Sequence, residues 1–362
     1  MTVRTVGVEE EFLLFEAARP RLADIGPDVV AAADREAADG DAQFEKELKK
    51  AQVEHASSPT ESLSALARQL GQQRAELAEA ANGRGARLIA SGTSPVGDDS
   101  ATTDDERYRQ MEARFARIER TELTCAMHIH VSVESDDEGV AVLDRIAPWL
   151  PVLAALSANS PFSGGRDSGY ESYRRVVWGQ WPTATGVAGF ENPAQYRTLV
   201  ADLIATGAAR DEAMIYFDAR LSVAYPTVEI RVCDVCIGVD EAVLLAGLSR
   251  ALVETAAPST GGPRLRPELL RAASWRAARF GMTGQLVDLP AAVGSARLAD
   301  AWVLVDALVA HVQPALEQAG DEERIRLGLK TIRAGGTGAQ RQRAAADTDG
   351  IPGALEAARV LP

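Results

Sequence analysis

Residues 126–133 read Ala126-Met127-His128-Ile129-His130-Val131-Ser132-Val133, and their alternation sets how the rest of the chain is read. Side chains two apart in a strand share a face. Met127, Ile129, Val131 and Val133 therefore point one way, and His128, His130 and Ser132 the other. One face is apolar, and its opposite presents two imidazoles about 7 Å apart. Working outward, Val228, Ile230 and Val232 alternate with Glu229 and Arg231. Near the N-terminus Glu9 and Glu11 stand opposite Val8, Phe12 and Leu14, while Glu10 falls on the apolar side. Gln52 and Glu54 form a fourth polar pair. A half-solvated antiparallel sheet explains any one of these segments. As a set they carry Glu, His and Arg rather than the Thr, Lys and Ser expected at a water-facing surface. Carboxylates gathered on one face repel unless a cation lies among them. Several carboxylates with one or two imidazoles and no thiolate suit a hard ion, Mg2+ or Mn2+.

Between these segments the spacing predicts helices. Leu63, Leu66, Leu70 and Leu77 line one face of a helix that begins at Pro59-Thr60-Glu61 and ends at Gly83 and Gly85. A strand follows at Arg87 to Ala90, then helices at 25–38, 104–119, 139–158 and 193–208 are placed by the same criterion. Beyond Asp240 the chain reads as helices only, at 241–256, 267–279 and 297–318. Strands mix with helices without regular βαβ alternation, so the fold class is α+β with an antiparallel sheet. No linker tract or internal repeat divides residues 1–362, which read as one domain with a mainly helical part from about 241.

The 362 residues carry 38 Lys and Arg against 52 Asp and Glu, a net charge of −14, which argues against a nucleic-acid partner. No run of 18 apolar residues marks a membrane span, and Glu9-Glu10-Glu11 interrupts the N-terminal segment too early for a signal peptide. Cys125, Cys233 and Cys236 are too few for a disulfide framework, so a reducing, cytoplasmic setting is expected. Cys233 and Cys236 read as buried structural thiols, with Cys233 on the face of Glu229 and Arg231. His55 and His311 show no partners in the sequence and default to ordinary structural or surface positions. Arg324, Arg326, Lys330, Arg333, Arg341 and Arg343 crowd a stretch without acids that includes Gly335-Gly336-Thr337-Gly338. This is either a solvated helix end and loop or a mobile segment closing over phosphates. No GxxxxGK[ST] loop is present, so any nucleotide site is of another kind.

The motifs GVEEEF, ELKKAQVE, HIHVSV, NSPFSGGRDSGYESYRRVVW and TVEIRVCD, in this order, resemble the carboxylate-amine ligase family, also called glutamate-cysteine ligase type 2, of the glutamine synthetase-like superfamily. The resemblance spans residues 6 to about 345. It implies a curved antiparallel sheet whose concave face binds ATP and Mg2+ (or Mn2+), with helices on the convex side. Carried over position by position, the metal ligands are Glu9, Glu11, Glu47, Glu54, His128 and Glu229. His130, Arg231, Arg174 and Arg175 would meet the nucleotide, and Glu54, Arg231 and Arg220 would act in catalysis. Gln52, Asn159, Tyr170, Tyr173 and Trp178 would shape the substrate pockets, the aromatics having packing as the alternative role. The implied reaction phosphorylates a substrate carboxylate, glutamate by the family label, and passes its acyl group to an amine, nominally cysteine. Another acid or amine, or a non-catalytic nucleotide-binding relative, remains as an alternative. A metal-dependent amidohydrolase would need further histidines, and only His55 and His311 are left. The expected partners are small molecules, with no nucleic acid or membrane, and a homodimer is compatible.

Overall fold

The computed structural model describes residues 3–36, 43–186, 189–259, 265–290 and 296–362. Eight strands, β1 (Val6–Glu16), β2 (Gln43–Lys46), β3 (Gln52–Ala56), β4 (Ala86–Ile89), β5 (Ala126–Ser132), β6 (Ala219–Leu221), β7 (Thr227–Asp234) and β8 (Arg359–Val360), form one antiparallel sheet. Its order is β8-β4-β1-β5-β7-β6, with β3 paired to β1 and β2 to β3. β1 is the organising strand because both its edges are used. Glu9 pairs with Ala56 on one side and His128 on the other, and Leu13 pairs with Gln52 and with Ile89. This brings the four polar-faced segments side by side.

The apolar face is covered by helices. Val6, Val8, Met127, Ile129, Val131, Val228 and Ile230 pack with Leu63, Leu66 and Leu70 of the helix Leu63–Asn82 and with Leu244, Leu245 and Leu248 of Val239–Ala256. Phe12 and Leu14 continue the layer with Leu77, Leu88 and Leu355. Each such side chain stabilises the fold by roughly 1.5–3 kcal/mol. Ser62 caps the first of these helices by accepting from the Ala65 N–H. Glu10 lies in the middle of this layer, fully buried. Arg74, from the helix above, grips it with bonds of 2.6 and 2.8 Å, and His55 Nε2 lies 3.2 Å from its carboxylate.

Pairing of β5 with β7 carries a bulge. Met127 stands opposite Cys233 and Ile129 opposite Ile230, so Arg231 and Val232 together face His128. One extra residue reverses the side-chain parity beyond it. Cys233 consequently joins Met127 in the apolar core and not the face of Glu229 and Arg231, correcting the expectation from simple alternation. All three cysteines are free and buried.

Several expected helices are subdivided. The 104–119 segment stops at Ala116, whose φ is 51°, and a short turn of helix, Arg117–Arg120, follows. The 139–158 segment is two helices, Asp136–Ile146 and Leu150–Leu156, set 68° apart around Pro148. The remaining expected helices appear at Gly26–Glu36, Pro193–Ala205, Pro267–Phe280 and Ala301–Ala319. Beyond Asp240 the chain is not helices only: Gln285–Val287 pairs with Leu298–Asp300, and β8 returns to the main sheet. The arginine-bearing and glycine-rich stretch forms the helix Glu322–Gly335 and the helical segment Gly338–Ala357, which is broken by a kink at Gly350, φ 63°. Among the described residues no single helix is long and apolar enough to cross a membrane.

Candidate metal and substrate site

The open face of the sheet is a carboxylate-rich floor. β1 contributes Glu9 and Glu11, β3 Glu54, the turn before it Glu47, β5 His128 and His130, and β7 Glu229 and Arg231. Three overlapping sets each bring one oxygen or ring nitrogen per residue within 4.8 Å of one another: Glu9 with Glu54 and His128, Glu9 with His130 and Glu229, and Glu11 with Glu47 and Glu54. Glu9 bridges two of them, its oxygens 3.2 Å from His128 Nδ1 and 3.2 Å from His130 Nε2. Glu11 accepts the Ala126 N–H at 2.7 Å, and its other oxygen lies 3.9 Å from His128 Nε2. At the sheet edge Arg220 holds Glu229 with bonds of 2.7 and 3.2 Å, and Arg231 also pairs with it. Arg220 is itself fixed by the carbonyls of Ala213 and Ile215 at 2.9 and 3.0 Å, so its fork is turned to Glu229.

The electrostatics divide these acids into two kinds. Burial opposes charge on Glu9, but hydrogen bonds from His128 and His130 hold its carboxyl well below the ordinary range. Burial likewise opposes charge on Glu229, and Arg231 and Arg220 bring it down to about 2. Glu11 is pushed up to about 8 by burial and by Glu47, with Arg174 acting against. Glu54 is raised well above its usual value by burial and by Glu47, Glu9 and Glu11. His128 is lowered to about 4 by burial and the Arg231 charge. A neutral imidazole with a buried, unbonded Nε2 beside carboxylates that lack a counter-charge is a donor set that fits hard divalent cations.

Two cavities meet at this floor. One, of about 560 Å3, is lined by Glu9, Glu11, Glu47, Gln52, Glu54, His128, Trp178, Arg220, Glu229 and Arg231, among others. The second, of about 550 Å3, shares Glu9, Glu54 and His130 and extends over Gly7, Ser57, Pro59, Ser132 and Thr227. Tyr225 lines both, its ring edge-on to His130 at 6.2 Å. Of the expected site residues, the structure gathers Glu9, Glu11, Glu47, Gln52, Glu54, His128, His130, Trp178, Arg220, Glu229 and Arg231. Five others lie elsewhere. Arg174 is fully buried beneath Trp178, 5.7 Å from its ring, and bonds the Arg231 carbonyl at 3.2 Å. Arg175 pairs with Asp218 and Ser274 and, with Tyr170, lines a separate cavity. Tyr173 packs against Tyr170. Asn159 is buried, donating to the Ala90 and Val235 carbonyls at 2.8 Å each. These five line neither of the two cavities at this floor, and their bonds brace the segment that carries Trp178.

The basic stretch lies apart from this face in the structure. Arg324, Arg326, Arg333, Arg341 and Arg343 pair with Asp240, Glu323, Asp306, Glu241 and Asp167, and none lines either cavity. His311 stacks on Trp149 at 5.1 Å. Tyr108, Glu122, Trp181 and Tyr216 line the cavity without having been singled out. Trp181, three positions after Trp178, carried a visible signal in that helical spacing; Glu122 carried none, lying just before a strand in a segment with no pattern.

This sheet, acidic and histidine-bearing on its open face and helix-covered on the other, is the fold of the glutamine synthetase-like ligases. The chain belongs to glutamate-cysteine ligase family 2, whose family model matches residues 5–358. A relative from Frankia alni, provisionally named glutamate-cysteine ligase 2-2, is 46% identical over 95% of this chain and 92% of its own length. Another from Streptomyces avermitilis, provisionally named glutamate-cysteine ligase 2-1, is 45% identical over 94% of each. The fold is shared with the crystal structure of a glutamate-cysteine ligase from Francisella tularensis in complex with AMP, at 13% identity and a TM-score of 0.70, covering 99% of this chain and 88% of that one.

Proposed function

We propose that the chain is an ATP- and Mg2+-dependent carboxylate-amine ligase that joins glutamate to cysteine or a related amine through an acyl phosphate. The observation that carries this reading is the row of three ligand sets lying between two cavities, room for a nucleotide on one side and an acid with its amine on the other. Mg2+ held by Glu9, Glu11, Glu47, Glu54, His128, His130 and Glu229 would offset the charge of the phosphates and of the attacking carboxylate. His130 thereby joins the ligand groups, beyond the phosphate contact first expected of it. Arg231, held by Glu229 with its Nε buried and free of hydrogen bonds, supplies a fixed positive charge beside the phosphates. Gln52 and Trp178 wall the acid's side of the cavity. A carboxylate oxygen attacks the γ-phosphorus and ADP leaves; the amine nitrogen then attacks the acyl carbon and phosphate leaves. The names of the relatives, and the AMP in the Francisella enzyme, support the choice of glutamate, cysteine and an adenine nucleotide. The buried free thiols fit a reducing, cytoplasmic setting.

The test is ADP release by the purified protein with glutamate, other carboxylates and a panel of amines. Amide formation tied to ADP release is expected, with Glu9→Gln and Glu229→Gln each lowering turnover by at least about 100-fold, the upper range for disturbed metal sites. Amide formation without ATP, or full activity in both variants, would overturn the assignment.

A further inference from the structure

Glu122 is a buried carboxylate of the cavity lined by Glu11, Trp178 and Arg231 and belongs to none of the three ligand sets. It is 5% exposed. One oxygen accepts Trp181 Nε1 at 2.8 Å and the other accepts the Thr124 hydroxyl. Both donors are neutral, and among the described residues no arginine, lysine or histidine forms an ion pair with it. The cations acting on it from further off are engaged elsewhere. Lys49 is held by Glu119 and Thr102 at 2.8 and 2.9 Å, and Arg174 lies under Trp178 with Nη1 3.7 Å from Asp234. A buried carboxylate supported only by neutral donors is poorly compensated: burial raises Glu122 above its ordinary value, and a cation brought beside it would hold it ionised.

Its surroundings say which cation. Trp178, Trp181 and Tyr216 form an aromatic wall, with Tyr216 4.5 Å from Trp178 and 5.4 Å from Trp181 between ring centroids. Ring faces attract cations, Arg231 already lying 5.8 and 6.0 Å from the Trp178 and Tyr216 centroids, and the thioether of Met111 adds a soft apolar patch. Gln52 bonds the Thr124 carbonyl at 2.8 Å, which ties this end of the cavity to the strand bearing Glu54.

Resting on the ligase reading, we propose that Glu122 receives the acceptor amine as its ammonium and takes one proton from it, and that the aromatic wall selects a primary amine with an apolar or sulfur-bearing side group. The ammonium gives a proton to the Glu122 carboxylate, leaving a neutral amine. Its nitrogen lone pair forms the bond to the acyl carbon, the carbon-oxygen bond to phosphate breaks, and the second nitrogen proton leaves with phosphate as hydrogen phosphate. Glu122 then returns its proton to water.

The experiment compares hydroxylamine, uncharged at neutral pH, with cysteine as acceptors for glutamate and MgATP. Alongside it, tryptophan fluorescence is titrated with primary ammonium compounds from methylammonium to phenethylammonium, and with MgATP. Glu122→Gln is expected to keep hydroxamate formation within about threefold while amide formation falls at least about 100-fold, the usual scale of a lost acid-base group. Ammonium binding weakens at least tenfold and MgATP binding is unchanged. Equal losses with both acceptors, no loss with either, or no ammonium binding by the unaltered protein would overturn the proposal. Glu122→Asp, which keeps the charge but withdraws it, decides by the same split if the first variant does not fold. Failure of the unaltered protein to make any hydroxamate or amide would instead remove the ligase reading, and the fluorescence titration would still decide Glu122.

Discussion

Glu10 shows how one residue out of pattern can be the most informative in a strand. Alternation puts it on the apolar side of β1, where an unpaired carboxylate would be severely unfavourable. The partner was legible too: the stripe Leu63, Leu66, Leu70 and Leu77 passes through position 74, four after one leucine and three before the next, and that position is Arg74. Arg74 bonds both oxygens of Glu10 and the carbonyls of Ile237 and Cys236, so it ties β1 to the turn after β7. Glu10→Gln leaves a buried guanidinium without its charge partner and is expected to cost ~3–5 kcal/mol in urea unfolding. Adding Arg74→Met should recover much of that loss; a single variant within 1 kcal/mol of the parent would show the pair to be of little consequence. The face of Cys233 was illegible for a different reason. A bulge leaves the alternation intact on each side of it and shifts only the pairing, which a single strand's sequence does not record.

At the scale of elements, the segment 159–178 carries Asn159, Tyr170, Tyr173, Arg174 and Arg175, all expected at ligands from the family resemblance. It is instead braced from within. Asp234, at the end of β7, accepts from Ser160 Oγ at 2.7 Å, Ser172 Oγ at 2.8 Å and the Asn159 N–H at 2.9 Å. The short helix Arg174–Trp178 then presents Trp178 to the cavity. Sequence motif and the wall of the two cavities at the sheet face thus overlap in Trp178 alone, because residues that fix a loop and residues that meet a ligand draw on the same polar types. The helix Gly338–Ala357 closes over this brace: Gln342 bonds Asn159 Oδ1 at 2.7 Å, and Gly338 approaches so closely that an added Cβ would sit 2.2 Å from that oxygen. Gly338→Ala is therefore expected to destabilise the fold by about 1–3 kcal/mol through overpacking. Gly335→Ala, whose Cβ meets nothing within 4 Å, should be neutral or slightly stabilising in the same denaturation series. Equal effects of the two would contradict the close approach.

Over the whole molecule, the excess of acid that first argued against nucleic acid has a concentrated part on the open sheet face. In the absence of a divalent ion Glu11 titrates near 8 and Glu54 lies well above its usual value. Groups raised in the folded state bind more protons there than in the unfolded chain. Their stabilising contribution is complete below the unfolded value near 4.5 and is lost as pH rises through about 8. Tm in EDTA should accordingly fall between pH 6 and 8.5, and saturating Mg2+ with ATP should flatten that slope and raise Tm, by about 2.7 kcal/mol of stability at a hundredfold excess over Kd. Parallel slopes with and without Mg2+ would show that Glu11 and Glu54 do not titrate with the metal. The four polar-faced strands were legible because each sets polar residues two apart against apolar neighbours; β6 and β8, three and two residues long, are too short to show this. β8 has a consequence in the time of synthesis. It pairs with Leu88 and Ile89 from about 270 residues further along the chain. At roughly 5–20 residues per second, a ribosome would leave that edge of β4 bare for on the order of 15–50 seconds. An uncovered strand edge of that duration is open to pairing with other nascent chains until β8 covers it.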